Sequence, residues 1–215
     1  MRRSYPKSAL EVGVRVEAAA WSRALPGASR LAERAAQAAF AAARPRRLIE
    51  AGAEAAVVLA DDARMRALNR DWRGQDKPTN VLAFAARDWR VGARSARDGR
   101  AMPRATGQPM VLGDVVVALE TARAEARAEG KPLADHLRHL VVHGMLHLLG
   151  HDHRRAPAAR RMERLERKVL ATLDVPDPYA PPRRRRPPKP RTGRDKGRRV
   201  YVRRRLRARR RRGAR

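Results

Sequence analysis

Strand and helix signals in the order β-α-β-α-β-β-α, ending in two further helices, predict one domain of mixed strands and helices with a basic tail beyond it. Three observations carry this expectation. Apolar and polar residues alternate in LEVGVRV (10–16), alanine-rich stretches of good helix formers separate the strand-like runs, and residues 181–215 hold almost nothing apolar to bury. With 215 residues, the chain is long enough for a single core. Hydrophobic residues make up 43% but aromatics only 4%, so that core rests on Leu, Val and Ala.

The elements follow in order. Leu10, Val12, Val14 and Val16 alternate with polar or small residues, the period of a half-buried strand. LAERAAQAAFAAAR (31–44) predicts a helix, with Ser29 as its cap and Pro45 as its stop. AAVVLA (55–60) is the second strand, and Asp61 or Asp62 caps a helix through ARMRALNRDW. After the polar loop RGQDKPT come a short strand, NVLAFA (80–85), and an Arg-, Gly- and Pro-rich stretch (87–109) without periodicity, expected to be a long loop. VLGDVVVAL (111–119) returns to strand character and ETARAEARAE to helix. A helix of about five turns then starts at Pro132, with Gly150 at its exit. The last helix, from about Pro157 to Leu173, aligns Met162, Leu165, Val169 and Leu173. The domain is expected to span residues 1–180, and residues 181–215 to form a disordered tail.

Several classes are set aside by composition. No run approaches the roughly 18 apolar residues of a membrane span, and MRRSYPKSALEVGV has no continuous apolar segment of a secretory signal, so a cytoplasmic protein is expected. The absence of cysteine rules out disulfides and thiolate metal sites, leaving His, Asp and Glu as ligands. Of the net charge of +29, residues 181–215 supply +18, from 19 Lys/Arg and one acid, Asp195. Such a field attracts polyanions, and the tail, with Arg183, Arg184, Arg203, Arg204, Arg209 and Arg210, is expected to contact RNA or DNA backbone.

The chemistry concentrates in HGMLHLLGHDH (143–153), which holds four of the six histidines. On an ideal helix His136, His143 and His147 fall within roughly 40° of one another, with His139 about 40° outside that arc. Leu133, Leu137, Leu140, Val141, Met145 and Leu148 line the other sides. His143 and His147, one turn apart, can converge on one ion, and a turn at Gly150 brings His153 back as a third ligand. Three nitrogens and one open position are the arrangement of a catalytic zinc. The spacing HxxxHxxGxxH is shared with metzincin proteases, but the residue after the first histidine, a glutamate base in those enzymes, is here Gly144. Glycine costs up to about 1 kcal/mol in a helix, which points to a need for small size at that position.

Taken together, these residues resemble the YbeY family, metal-dependent endoribonucleases of rRNA maturation. The family motif HGxLHLxG[Y]DH is matched at His143, Gly144, Leu146, His147, Leu148, Gly150, Asp152 and His153, and further blocks are similar to LNRDWRGQDKPTNVLAF (68–84), LGDVVVALETARAEA (112–126) and the closing DPY (177–179). The similarity spans roughly residues 10–179. His151 stands where the family has Tyr, and could be a weak fourth ligand or a change of packing; Ala83 and Ala85 replace a serine and a proline. The resemblance implies an α+β fold in which a small mixed β-sheet carries a zincin-like histidine helix. It also implies single-stranded RNA as substrate, notably the 3′ end of 16S rRNA precursor, a role in ribosome quality control, and the small ribosomal subunit as partner.

Zinc on three neutral imidazoles keeps its charge, activates water and polarises a phosphoryl oxygen. A nearby cation should stabilise the charge that develops on phosphorus oxygens, and Arg73, in the family's RG position, is the candidate catalytic residue. Asp152 can orient a ligand imidazole or cap a turn, Asp114 can form a turn or lie near the site, and His136 and His139 can be satisfied within the fold or meet substrate. Two other functions stay open, a zinc protease and a non-catalytic RNA- or ribosome-binding protein whose metal is structural.

Overall fold

The computed structural model describes residues 10–43, 52–86, 109–151, 153 and 156–180. Strand β1 (Leu10–Val16) is followed by a short helix α1 (Ala20–Ala24), helix α2 (Ala28–Ala43), strand β2 (Ala53–Ala60) and helix α3 (Asp62–Arg73). Strands β3 (Val81–Ala85) and β4 (Met110–Ala118) then precede three helices, α4 (Leu119–Ala128), α5 (Leu133–Leu148) and α6 (Ala156–Ala171). The strands form a mixed sheet in the order β1-β2-β4-β3, with β1, β2 and β4 parallel and β3 antiparallel to β4.

Alternation along the strands divides the core in two. Val57, Leu59, Val115 and Val117 face α2, α5 and α6, whereas Val58, Ala60, Val116 and Leu82 face α3 through Met65 and Leu68. From Val57 to Ala60, central β2 is buried on both faces, which explains the apolar run VVLA. Helix α5 packs against α2, β3, β4 and α6. Its Leu137, Leu140, Val141, Met145, Leu146 and Leu148 are buried, each worth roughly 1.5–3 kcal/mol in transfer from water. That burial fixes the rotation of the helix and therefore the direction of its histidines.

The α+β class and every strand expected from the sequence are present, with three local differences. Helix α2 starts at Ala28, so Ser29 lies inside its first turn and is not its cap; Gly27 takes a positive φ of 82° and Ala28 is buried, which draws the helix start back. Helix α1 was not expected. It exists because Trp21 plugs the core, fully buried, and donates through Nε1 to the Ala60 carbonyl at 2.8 Å. Pro132 occupies the cap position of α5, one residue before the first helical turn. Asp61 is the cap of α3, accepting from the Arg64 amide at 2.8 Å. Residues 87–108 of the loop expected at 87–109, and the tail at 181–215, lie outside the described residues.

Candidate metal centre

Helix α5 presents His136, His139, His143 and His147 along one side, with successive rings 6.2, 6.4 and 4.6 Å apart. The helix then stops. Gly150 adopts φ 89°, its amide bonds to the His147 carbonyl at 3.0 Å and the His151 amide to the Leu146 carbonyl at 2.9 Å, closing a Schellman motif. A residue with a Cβ is strained in that conformation, and the reversal carries the chain back over the helix end. His153 thereby comes to lie 4.9 Å from the His147 ring and 5.6 Å from the His143 ring.

One ligand nitrogen from each of His143, His147 and His153 lies within 4.8 Å of the others. The Nε2 atoms of His143 and His147 are only 3.0 Å apart. Two ring nitrogens facing each other so closely need either a shared proton or a cation between them. Three neutral imidazoles suit zinc, and equally nickel, cobalt or copper, so the donor set fits a transition-metal ion. Two of the three rings are half-buried and His153 is exposed, so that among the described residues the site is open on one side. His151 is outside this group. Burial, followed by the charge of Arg161, lowers its pKa.

Behind the trio stands an acid that the sequence reading passed over. Glu166 of α6 is buried, and its Oε1 is 2.7 Å from His143 Nδ1. Its Oε2 accepts from the Tyr179 hydroxyl and lies 3.9 Å from His139 Nε2. Burial pushes the carboxyl pKa up, but the hydrogen bonds from His143 and Tyr179 outweigh it and the net shift is downward. Burial and then the bond to Glu166 raise Tyr179, which keeps the phenol protonated. His139 is pushed down to about 4, chiefly by burial and against the pull of Glu166. A sequence signal for Glu166 existed. It falls on the inward stripe of α6, one turn after Met162, where an apolar residue would be the rule.

The other expected residues are placed as follows. A Cβ at Gly144 would stand 2.6 Å from Val115 Cγ1, so this position is pressed against β4 and has no room for a side chain. His136 is buried, with Nε2 2.8 Å from Glu125, which also accepts from Asn80 at 2.9 Å; the His136 Nδ1 has no hydrogen-bond partner among the described residues. Arg73 is the exposed last residue of α3, before Gly74 in the left-handed conformation, and α3 covers the sheet face opposite α5. Asp114 is within β4 and not in a turn. Its neighbour Val115 meets α5, and Asp114 is exposed on the other face, lining a cavity of about 1100 Å³ with Arg64, Leu68, Trp72 and Phe84. Asp152 lies outside the described residues.

With this geometry in hand, comparison with known proteins is decisive: the family model described as Endoribonuclease YbeY matches residues 22–174. The chain belongs to the YbeY endoribonuclease family. Among its relatives, the Endoribonuclease YbeY of Paramagnetospirillum magneticum is 46% identical over 170 residues, covering 79% of this chain and 96% of that protein. That of Azorhizobium caulinodans is 47% identical over 173 residues, covering 80% and 98%. That of Rhodopseudomonas palustris is 52% identical over 130 residues, covering 60% and 69%. Both the histidine helix and the closing turn fall within the span matched by the family model.

Proposed function

We propose that this chain is a zinc-dependent endoribonuclease that cuts single-stranded RNA and acts in 3′-end maturation of 16S rRNA and in ribosome quality control in the cytoplasm. The observation that carries the reading is the convergence of three imidazole nitrogens from His143, His147 and His153 in a member of the YbeY family. Bound there, zinc supplies a Lewis acid and an activated water. The chain itself supplies the rest. The Schellman turn holds His153 against the helix, and the open side admits a phosphodiester. Arg73, on the helix that covers the opposite sheet face, serves this reading as a substrate contact, its guanidinium holding RNA phosphate. The tail arginines Arg183, Arg184, Arg203, Arg204, Arg209 and Arg210 hold RNA backbone and give binding that weakens with salt. Residues 1–180 act as the endoribonuclease domain and 181–215 as the RNA-holding tail, with the small ribosomal subunit as partner.

The protease reading is disfavoured by Gly144. In zincin-type proteases a glutamate follows the first histidine, and here that position is closed by Val115. A purely structural metal is disfavoured because closed sites normally have four protein ligands and the described residues bring together three. The test is cleavage of a single-stranded oligoribonucleotide by the full chain. His147→Ala is expected to abolish cutting and Arg73→Glu to weaken it at least tenfold, whereas casein stays intact with either. Cutting by His147→Ala at the wild-type rate would overturn the proposal.

A further inference from the structure

Glu166 sits on the inward side of α6, where Met162, Val169 and Leu170 are apolar and buried. An acid in such surroundings is destabilising unless its oxygens are paired, and apolar residues would serve the packing of two helices as well. Glu166 instead has each oxygen on a different partner. Oε1 meets His143 Nδ1 at 2.7 Å, and Oε2 takes the Tyr179 hydroxyl. Tyr179 is itself held. Its amide donates to Asp177 Oδ1 at 2.9 Å, the same oxygen accepts from Arg167 Nε at 3.2 Å, and the Arg167 guanidinium lies 4.9 Å from the phenol ring. The closing DPY segment is thus latched to α6 and points its hydroxyl at the acid.

The consequence falls on His143. A ring whose Nδ1 is tied to a carboxylate cannot spin, carries its proton on Nδ1 and offers an unprotonated Nε2. That Nε2 is the atom 3.0 Å from His147 Nε2. We propose that Glu166 is the positioning residue of the histidine trio, fixing His143 from behind so that Nε2 faces the ion, and that Tyr179 locks the carboxylate in its turn. This inference rests on the reading that the trio holds a metal. It gives the DPY segment a role that neither the strands nor the histidine helix explain.

The test uses the full chain, stripped of metal, with zinc binding followed by competition against a chelating indicator. Glu166→Gln is expected to weaken zinc affinity 10–100-fold, and Tyr179→Phe to weaken it by a smaller factor, each with a cooperative unfolding transition retained. On the metal-free chain, long-range 1H–15N spectra of the imidazoles are expected to show the His143 proton on Nδ1 in the wild type and redistributed toward Nε2 in Glu166→Ala. Should Glu166→Ala fail to fold, Glu166→Gln and Tyr179→Phe carry both readouts. Zinc affinity of Glu166→Gln within twofold of the wild type overturns the proposal, as does a wild-type His143 protonated on Nε2. Zinc binding by His143→Ala equal to the wild type would instead show that the trio is not the metal site, a separate failure.

Discussion

At position 144 two effects of opposite sign compete. Replacing Gly by Ala in a helix gains about 1 kcal/mol in propensity, while a Cβ 2.6 Å from Val115 Cγ1 forces overpacking that costs about 1–3 kcal/mol. The clash is with a buried β-branched side chain that has nowhere to turn, so the cost wins. Gly144→Ala is expected to lower the urea midpoint, and the same substitution made in a Val115→Ala chain to be neutral or stabilising. Equal losses in both backgrounds would contradict the contact. His139 offers a second residue-scale prediction. The fold favours its neutral ring by holding the pKa near 4 against an ordinary 6.5. Its contribution is therefore complete above about pH 6.5 and is lost as the pH falls towards 4, on the order of 3 kcal/mol in all. Glu166 pulls the other way, and His143, His136 and Lys131 add to the depression. Unfolding of the metal-free chain between pH 7 and 4 is expected to show a shallower decline in His139→Gln than in the wild type.

Helices α3 and α4 begin side by side and satisfy each other. The Asp62 amide donates to Glu120 Oε2 at 2.9 Å, while Asp62 Oδ1 accepts from the Thr121 amide at 3.0 Å and from its hydroxyl at 2.9 Å. Helix α4 has no side-chain cap of its own, because Ala118 stands at that position. Asp62→Ala is expected to destabilise the chain by about 1 kcal/mol and to speed hydrogen exchange at the Thr121 amide, whereas Asp61→Ala acts on α3 alone. Exchange at Thr121 unchanged in Asp62→Ala would refute the shared cap. This is also where the sequence was only partly legible. It pointed to Asp61 or Asp62 as a cap but could not show that both are used, since Thr121 lies 59 positions away from Asp62. Trp21 was opaque for the same reason: a five-residue helix has too few turns for a period, and its partner, Ala60, is 39 positions distant. The histidine trio was legible because its three members sit within eleven residues and one glycine turn. Glu166 was not, because its pairing with His143 spans 23 positions and appears locally as a polar interruption in an apolar stripe.

For the whole molecule, charge is concentrated away from the trio in sequence, with residues 181–215 supplying +18 of the net +29. Six of the seventeen tail arginines, Arg183, Arg184, Arg203, Arg204, Arg209 and Arg210, are the expected phosphate contacts, and replacing them by Gln is expected to weaken single-stranded RNA binding at low salt. If all six meet phosphates, the slope of log affinity against log salt falls by up to about 4. Binding and slope unchanged in a filter-retention titration would show that these six arginines do not hold RNA. The proposal that one metal ion on His143, His147 and His153 makes the chain a ribonuclease is tested by RNA cleavage rate against zinc added back to stripped protein. The rate is expected to start near zero, rise linearly and reach its plateau at one equivalent per chain, with His147→Ala flat throughout. Full cutting before any zinc is added, or one tightly bound equivalent with no cutting of single-stranded RNA, would contradict it.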